Sequence, residues 1–335
     1  MITRLFHAWE HRLASATNNR VVRPFDWGTD WLPTNGAHGA AADARVAHWV
    51  DHVMSDTAAF FTPPPITDYE FDGSTLRFPS ALTTPHPENN TVVGRWFPAA
   101  SGEPRRAVLV LPQWNSDGEG HIGLARLLAR FGMSALRLSL PYHDLRMPRE
   151  LSRADYIVSS NIVRTVQVCR QAVLDARRAI HWLAARGYER IGILGTSLGS
   201  CLAMLTSAHE PLIRAQALNH VSPWFADVVW RGLSTRHVRE GLEGHIDLDR
   251  LRDLWRPISP WSYLDRVRHA KTLLVYARYD LTFPVDLSRT LVNEFGRRGL
   301  PHEVAVLPCG HYSTGNVPFK FLDGYVLTKF LLRSL

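Results

Sequence analysis

The order of apolar and polar positions divides the chain into regions of different character. Residues 1–65 contain two stretches with helical spacing, 5–16 and 40–61, on either side of the aromatic, turn-rich piece RPFDWGTDWLP. From Tyr69 the pattern changes to short strand-like runs (YEFDG, STLRFPSAL and TVVGRWFPA) separated by Gly, Pro and Asn. Such runs predict the antiparallel edge of a sheet.

After Pro104 continuous apolar runs alternate with stretches of helical spacing. The runs AVLVLP and MSALRLSLP are typical of strands that are covered on both faces. The same signal recurs in RIGILGTS, AQALNHV, KTLLVYARYD and HEVAVLPCG, and helical spacing is found at 121–131, 154–186, 285–298 and 317–332. The alternation predicts an α/β fold with a mostly parallel central sheet and helices on both faces.

One segment interrupts this rhythm, because residues 222–262 lie between two predicted strands and are too long for an ordinary connection. We interpret this segment as a helical cap or lid. The predicted organisation is therefore an N-terminal helical extension (1–65), a core built from 66–221 and 263–335, and a cap at 222–262.

The sequence Gly195-Thr196-Ser197-Leu198-Gly199 fits the pattern G-x-S-x-G. An apolar strand leads into it and a helical stretch leaves it, which is the context of a nucleophile elbow. The alternative is an ordinary glycine-rich turn with an exposed serine. The strand–turn–helix context favours Ser197 as a nucleophile.

A serine hydroxyl needs an adjacent base, and the expected chain order for this arrangement is nucleophile, acid, histidine. Asp280 ends the strand LLVYARYD, and His311 follows the next apolar strand. Both are at carboxyl ends of strands, where active sites of parallel sheets form. The competing residues are Asp286, which precedes a helix and suits a cap, and His302, which precedes its strand.

Four motifs, LPQWN, GTSLGS, ARYDLTFP and PCGHYSTG, resemble the α/β-hydrolase superfamily over residues 69–335, and D-x-x-x-P with a later G-H is similar to its esterase and dienelactone-hydrolase-like branches. The expected oxyanion hole combines the N–H of Leu198 with one from the loop after the first buried parallel strand. By position the resemblance implies Trp114 as the second donor. Relatives often have His-Gly where this chain has Pro112 and Gln113, so Gln113 is an alternative donor.

Candidate substrate-binding residues follow other strand ends or lie in the predicted cap. They are Tyr142, His143, His220 and Trp224. For the first two a surface-loop role fits equally well. A hydrogen-bonded structural role fits His220, and packing of the cap against the core fits Trp224.

Composition and charge exclude several classes of protein. Three cysteines without CxxC spacing indicate free thiols, and Asp117, Glu119 and His121 lack a metal-ligand spacing, so neither a metal nor another cofactor is expected. The formal charge of +7 comes from scattered arginines, which argues against nucleic-acid binding. No apolar run is long enough to span a membrane and the amino terminus lacks a signal-peptide core, so we expect a cytoplasmic protein.

Together these features predict a serine-dependent carboxylic ester hydrolase that acts on a small-molecule ester through an acyl-enzyme. Amidase, peptidase, lyase or acyltransferase chemistry on the same triad is the first alternative. A binding protein that keeps the fold without turnover is the second. The sequence leaves the natural ester and the oligomeric state open.

Overall fold

The computed structural model describes residues 1–16, 19–33, 41–100 and 105–335. Within these ranges nine strands form one sheet in the order β1-β2-β3-β5-β4-β6-β7-β8-β9. The strands are β1 (Glu70–Phe71), β2 (Thr75–Pro79), β3 (Thr91–Phe97), β4 (Arg106–Leu111), β5 (Ser134–Leu138), β6 (Arg190–Thr196), β7 (Ile213–Asn219), β8 (Lys271–Ala277) and β9 (His302–Leu307).

The pairing of neighbouring strands changes once across the sheet, from antiparallel to parallel. Strands β1, β2, β3 and β5 pair antiparallel with their neighbours, whereas β5, β4, β6, β7, β8 and β9 pair in parallel. The runs after Tyr69 therefore form the antiparallel edge, and the buried apolar runs form the parallel part. The predicted fold class, a mostly parallel sheet with helices around it, is confirmed.

Helices cover both faces of the sheet, because residues along each strand point alternately to opposite sides. In β4, Ala107, Leu109 and Leu111 pack in one core cluster, while Val108 and Val110 pack in the other. The first face carries α5 (Ile162–Ala185), α6 (Leu198–His209) and α10 (Val285–Arg297), and the second carries α4 (Ile122–Arg130) and α11 (Phe319–Ser334). Each helix of the described ranges is too short or too polar to span a lipid bilayer.

The residues outside the sheet and its covering helices form short helices of their own. The N-terminal region contains α1 (Ile2–Ala14), α2 (Ala42–Ser55) and α3 (Thr57–Phe60); Ala40, where the second helical stretch was predicted to begin, lies outside the described residues. The predicted cap contains α7 (Phe225–Arg231), α8 (Arg236–Leu242) and α9 (Leu248–Leu254). Ion pairs join α2 to the predicted cap, Asp43 with Arg250 and Asp51 with Arg256. The division into extension, core and cap stays a prediction.

The predicted helix at 154–186 is wrong in its first eight residues, since α5 begins at Ile162. The side chain of Asn161 caps the helix by accepting from the N–H of Arg164 at 2.9 Å. The preceding residues pair instead with the N-terminal region, where Asp26 N–H donates to Ser160 O and Ile162 N–H donates to Asp26 O. A tertiary contact therefore replaces the first turns of the helix.

Candidate active site

Ser197 occupies the sharp turn between β6 and α6. Its backbone has φ 57° and ψ −119°, a conformation that costs a residue with a side chain about 1–3 kcal/mol. Its N–H donates to Asn219 O at 2.8 Å, which fixes the turn to the end of the neighbouring strand β7. The side chain is thereby presented at the carboxyl edge of the sheet, where ligands bind in such folds.

The two glycines of the motif are required by the closeness of this turn to its surroundings. A Cβ on Gly195 would lie 2.0 Å from the carbonyl oxygen of Gly199. A Cβ on Gly199 would lie 2.3 Å from the oxygen of Leu111, the last residue of β4. Neither position has room for a side chain, so the elbow and the end of β4 pack backbone against backbone.

Asp280 and His311 meet at the ends of β8 and β9. The Nδ1 of His311 lies 3.0 Å from Oδ2 of Asp280, and the ring of His311 stacks on that of Phe283 at 5.4 Å between centroids. The other oxygen of the Asp280 carboxylate accepts the N–H groups of Thr282 at 2.8 Å and Phe283 at 2.7 Å. The carboxylate is thus held rigidly and aligned on the histidine ring.

His220 binds the same carboxylate oxygen. Its Nδ1 lies 2.8 Å from Oδ2 of Asp280, and its ring centroid is 4.3 Å from that of His311. Burial opposes ionisation of Asp280, but its contacts with His311 and His220 outweigh this and hold its pKa below the ordinary range. Because the carboxylate is ionised, each histidine donates to it through Nδ1–H, which leaves the Nε2 atoms available as bases or acceptors.

Ser197 and His311 line one cavity of about 840 Å³. Within the described residues, Ser197 Oγ forms no hydrogen bond with His311. The competing residues lie elsewhere: Asp286 pairs with Arg231 on the surface, and His302 begins β9 at the opposite end of the strand.

The two residues predicted for the oxyanion hole, Trp114 and Leu198, line this cavity as well, and so does the alternative donor Gln113. In the part of the chain that the structure describes, their backbone N–H groups donate no hydrogen bond. The next N–H of the loop, that of Asn115, is already used, because it donates to Nε2 of His143 at 3.0 Å. The free donors are therefore those of the predicted residues.

Two of the predicted substrate-binding residues lie outside the cavity. His143 is fully buried, and its Nδ1 is 2.8 Å from the carbonyl oxygen of Pro141. Burial lowers the pKa of His143 to about 4, so the ring is neutral and accepts from Asn115 through Nε2. Tyr142 is also buried, with its hydroxyl 3.0 Å from Nδ1 of His86. Both side chains are therefore buried among the supporting loops and do not line the cavity.

The other two predicted residues, His220 and Trp224, line the cavity. Trp224 belongs to the predicted cap and packs against Trp261 at 4.8 Å between ring centroids. This part of the wall is apolar and is completed by Phe225, Val228, Val229 and Phe283. A hydrophobic group of a substrate fits against it.

Glu10, in α1, supports the site and was not predicted from the sequence. It is fully buried, and its two carboxylate oxygens accept the N–H groups of Tyr312 at 2.8 Å and Ser313 at 2.9 Å. These are the residues that follow His311, so α1 holds the loop of the histidine. Nothing in the sequence marks Glu10, because an isolated acidic residue in an amphipathic helix usually faces solvent.

Asp323 and His121 also line the cavity and were not predicted as site residues. Burial raises the pKa of Asp323 to about 6, against the opposing effects of His220 and of the hydrogen bond from Asn219 at 3.0 Å. Burial lowers the pKa of His121 to about 4, and its Nε2 lies 3.0 Å from Oγ1 of Thr196. The cavity floor therefore carries polar groups besides the predicted triad.

His220, Asp280 and His311 also form a donor set that metal sites use. Their ligand atoms lie within 4.8 Å of one another, and two histidines with one carboxylate suit Fe(II) or Zn²⁺. A metal would need the two Nδ1 atoms deprotonated, whereas both are at hydrogen-bond distance from Asp280 Oδ2. The observed distances fit hydrogen bonding better than ligation.

The chain is similar in three dimensions to several solved structures. An acylaminoacyl peptidase of Pyrococcus horikoshii matches with a TM-score of 0.63 and 16% identity over 81% of this chain and 42% of that chain. An esterase of Pyrococcus furiosus matches with a TM-score of 0.55 and 17% identity over 82% and 97%. The 2,6-dihydroxy-pseudo-oxynicotine hydrolase matches with a TM-score of 0.54 and 14% identity over 88% and 73%.

These similarities concern the fold. This chain spans less than half of the length of the acylaminoacyl peptidase. No protein-family profile matches the chain, and no curated protein matches it in sequence. The structural likenesses, together with the sheet topology, show that this chain has the α/β-hydrolase fold.

Proposed function

We propose that this α/β-hydrolase-fold protein is a serine-dependent carboxylic ester hydrolase. The observation that carries the proposal is the hydrogen bond that aligns His311 on the ionised Asp280. His311 lines the same cavity as Ser197, which lies on a strained turn. A nucleophile on a strained turn that lines the same cavity as an oriented base is the arrangement that acyl transfer requires.

In the proposed mechanism, Ser197 Oγ attacks the ester carbonyl while Nε2 of His311 takes its proton. Asp280 keeps Nδ1 protonated and stabilises the imidazolium that forms. The negative oxygen of the tetrahedral intermediate is bound by the N–H groups of Leu198 and of Trp114 or Gln113. His311 then protonates the leaving alcohol, and an activated water releases the acid from Ser197.

The decisive experiment measures hydrolysis of p-nitrophenyl esters of increasing acyl length. Ser197→Ala, His311→Ala and Asp280→Asn are each expected to lower kcat by at least about 10³-fold, because members of such a triad act as a unit. The matched controls are Ser207→Ala, His302→Ala and Asp286→Asn, which remove the same groups outside the cavity. These controls are expected to keep activity within about twofold.

Undiminished hydrolysis by a folded Ser197→Ala variant would refute the proposal. Two further measurements separate the competing chemistries. Faster turnover of matched p-nitroanilides than of esters would favour an amidase, which the likeness to a peptidase makes the second candidate. Loss of activity on chelation, with recovery on adding Zn²⁺ or Fe(II), would favour the metal-binding use of His220, Asp280 and His311.

A further inference from the structure

Two arginines line the cavity that contains Ser197. Arg153 is 7% exposed, and its guanidinium carbon lies 5.1 Å from the ring centroid of Trp114. Arg20, from the segment between α1 and α2, lines the same cavity. Neither residue belongs to the proposed triad or oxyanion hole. Burial of a cation is unfavourable unless an interaction compensates it, so the position of Arg153 beside the proposed site indicates a function.

The interactions of Arg153 leave part of its guanidinium available. Nη1 donates to Oδ1 of Asn19 at 3.1 Å, and Nε lies 3.5 Å from Oδ1 of Asp155. Within the described residues, Nη2 donates no hydrogen bond. Asp155 is shared, because its other oxygen pairs with Nε of Arg23 at 3.1 Å. The carboxylate therefore offsets only part of the positive charge that surrounds it.

Arg20 connects the N-terminal region to the loop of the proposed base. Its Nη1 donates to the carbonyl oxygen of Ala14 at 2.6 Å, and its Nη2 donates to the hydroxyl of Tyr312 at 3.1 Å. Tyr312 follows His311 directly, and its hydroxyl is 2.6 Å from Oγ of Ser234. Arg20 thus holds its charge in the wall of the cavity, against the side chain that follows His311.

Arg20 and Arg153 are close enough for their positive charges to oppose each other. Burial lowers the pKa of Arg153, and the charge of Arg20 adds to the effect against the influence of Asp155. His237 stacks on Trp114. Its pKa is lowered to about 4, mainly by burial and to a smaller extent by the positive charges of Arg153, Arg20 and Arg23. Such a concentration of positive charge is unfavourable by itself and is stabilised by an anion bound beside it.

Other walls of the cavity are apolar, with Trp224 and its neighbours of the predicted cap and Phe283 beside the histidine. A ligand that satisfies both kinds of wall has an apolar part and an anionic group. Guanidinium groups recognise carboxylates and phosphates through paired hydrogen bonds, so these are the anions that fit.

We propose that the preferred substrates are esters that carry a carboxylate or phosphate, and that Arg153 and Arg20 bind this anion while Ser197 attacks the ester carbonyl. The inference rests on the proposed hydrolase function and adds the substrate class to it. Arg153 and Arg20 are specificity-determining residues in this account.

The test compares two substrates that differ in one charge: the mono-p-nitrophenyl ester of adipic acid and its neutral methyl ester. The wild type is expected to show a kcat/KM about 10- to 100-fold higher for the charged substrate, the range expected for a charge-assisted hydrogen bond. The preference is expected to fall towards one in Arg153→Gln and in Arg20→Gln. Because it is a ratio measured within one variant, it is independent of the fraction of folded enzyme.

The matched control is Arg178→Gln. Arg178 is 5% exposed and donates to the carbonyl oxygens of Pro64 and Pro79, outside the cavity. This variant is expected to keep the wild-type preference. Free adipate and inorganic phosphate are then tested as competitors of the neutral ester. Competition that weakens in Arg153→Gln identifies the carboxylate or the phosphate as the anion.

Ser197-dependent hydrolysis of both esters at equal kcat/KM, with neither competitor effective, would overturn the inference and leave the proposed function intact. Failure to hydrolyse either ester would count against the proposed function. In that case calorimetry of adipate and phosphate with Ser197→Ala still decides the inference. Binding that is lost in Ser197→Ala/Arg153→Gln supports the anion site, and absence of binding of both ligands overturns it.

Discussion

The turn that carries Ser197 and the loop that carries His311 are held in place by different means. Ser197 is positioned by its own neighbours, since Gly195 and Gly199 allow the chain to fold tightly against the end of β4. The histidine loop is held by Glu10, whose carboxylate accepts from Tyr312 N–H across 302 positions of sequence. The turn of the proposed nucleophile is made possible by glycines of its own motif, whereas the loop of the proposed base depends on the side chain of a distant helix.

The loop with the predicted oxyanion donors is held by residues at an intermediate distance along the sequence. Asn115 N–H donates to His143, 28 positions later, and the indole Nε1 of Trp114 donates to Ala154 O, 40 positions later. We therefore expect substitutions in the elbow to lower both stability and activity. Substitution of the distant residues that hold the loops is expected to act mainly on the placement of the proposed catalytic groups.

Among residues that support the proposed triad, the largest effect is expected for Gly199→Ala. The new Cβ would lie 2.3 Å from Leu111 O and 2.5 Å from Pro112 O, and backbone atoms cannot move aside as a flexible side chain does. We expect kcat/KM for the ester to fall by at least about 100-fold and the free energy of unfolding to fall by about 1–3 kcal/mol. Ester hydrolysis and urea unfolding measure the two effects.

Gly296→Ala is the matched control for this variant. Gly296 lies in α10, and a Cβ there would meet nothing within 4 Å. Activity close to wild type in Gly199→Ala would show that the close packing of the elbow is not needed for the reaction.

The next effect is expected for Glu10→Gln. The amide keeps one oxygen acceptor but directs an NH₂ group at the second backbone N–H, so the loop of His311 shifts. A displacement of about 1 Å lowers rates by up to about 100-fold, and we expect a decrease of about 10- to 100-fold in kcat with a smaller change in KM.

Glu210→Gln serves as the control for Glu10→Gln, because Glu210 is 2% exposed and pairs with Arg177 and His181 away from the cavity. It is expected to lower stability and to keep kcat. Equal kcat in the two variants would show that Glu10 has only a general structural role.

A smaller effect is expected at His143, where two substitutions separate its two hydrogen bonds. Glutamine can place an acceptor near the position of Nε2 and so keep the bond from Asn115 N–H, whereas asparagine can keep only the bond to Pro141 O. We expect kcat to fall by about tenfold in His143→Asn and by less in His143→Gln. The reverse order would contradict the role of His143 in bracing the oxyanion loop.

The smallest effect at neutral pH concerns stability. Burial lowers the pKa values of His121, His143, His209 and His237 to about 4. A histidine whose pKa is lower in the folded state gives stability that is present above its unfolded pKa of about 6.5 and is lost as pH falls through about 4. For the fully buried His143 the expected loss is about 3 kcal/mol between these values.

Asp323 has the opposite effect on stability, because its pKa is raised to about 6 in the folded state. As the pH falls from about 6 towards the ordinary pKa of an aspartate, its protonation stabilises the folded state and partly offsets the loss from the histidines. Urea unfolding at a series of pH values measures the sum. A free energy of unfolding that stays constant from neutral pH to about pH 4 would contradict the buried, neutral histidines.

The features predicted from the sequence are those that depend on short stretches of chain. The alternation of strands and helices indicated the parallel sheet, and the G-x-S-x-G motif indicated the elbow at Ser197. Asp280 and His311 could be selected because strand ends meet at one edge of the sheet. The structure brings these two side chains to 3.0 Å.

The features that were missed depend on contacts between distant segments. The helical pattern from residue 154 could not show that the backbone of 154–161 would pair with Asp26, so α5 begins later than predicted. The positions of Tyr142 and His143 after a strand end predicted that they line the cavity, but both side chains are buried outside its lining. Glu10 and Arg153 reach the site only through tertiary folding.

The central claim is that Ser197 is an activated nucleophile, and labelling with an active-site-directed phosphonate tests it most directly. Peptide mapping by mass spectrometry of the labelled protein is expected to place the adduct on Ser197 and to find strongly reduced labelling in His311→Ala, because the hydroxyl then lacks its base. An adduct on another residue, or none on folded wild-type protein, would contradict the account.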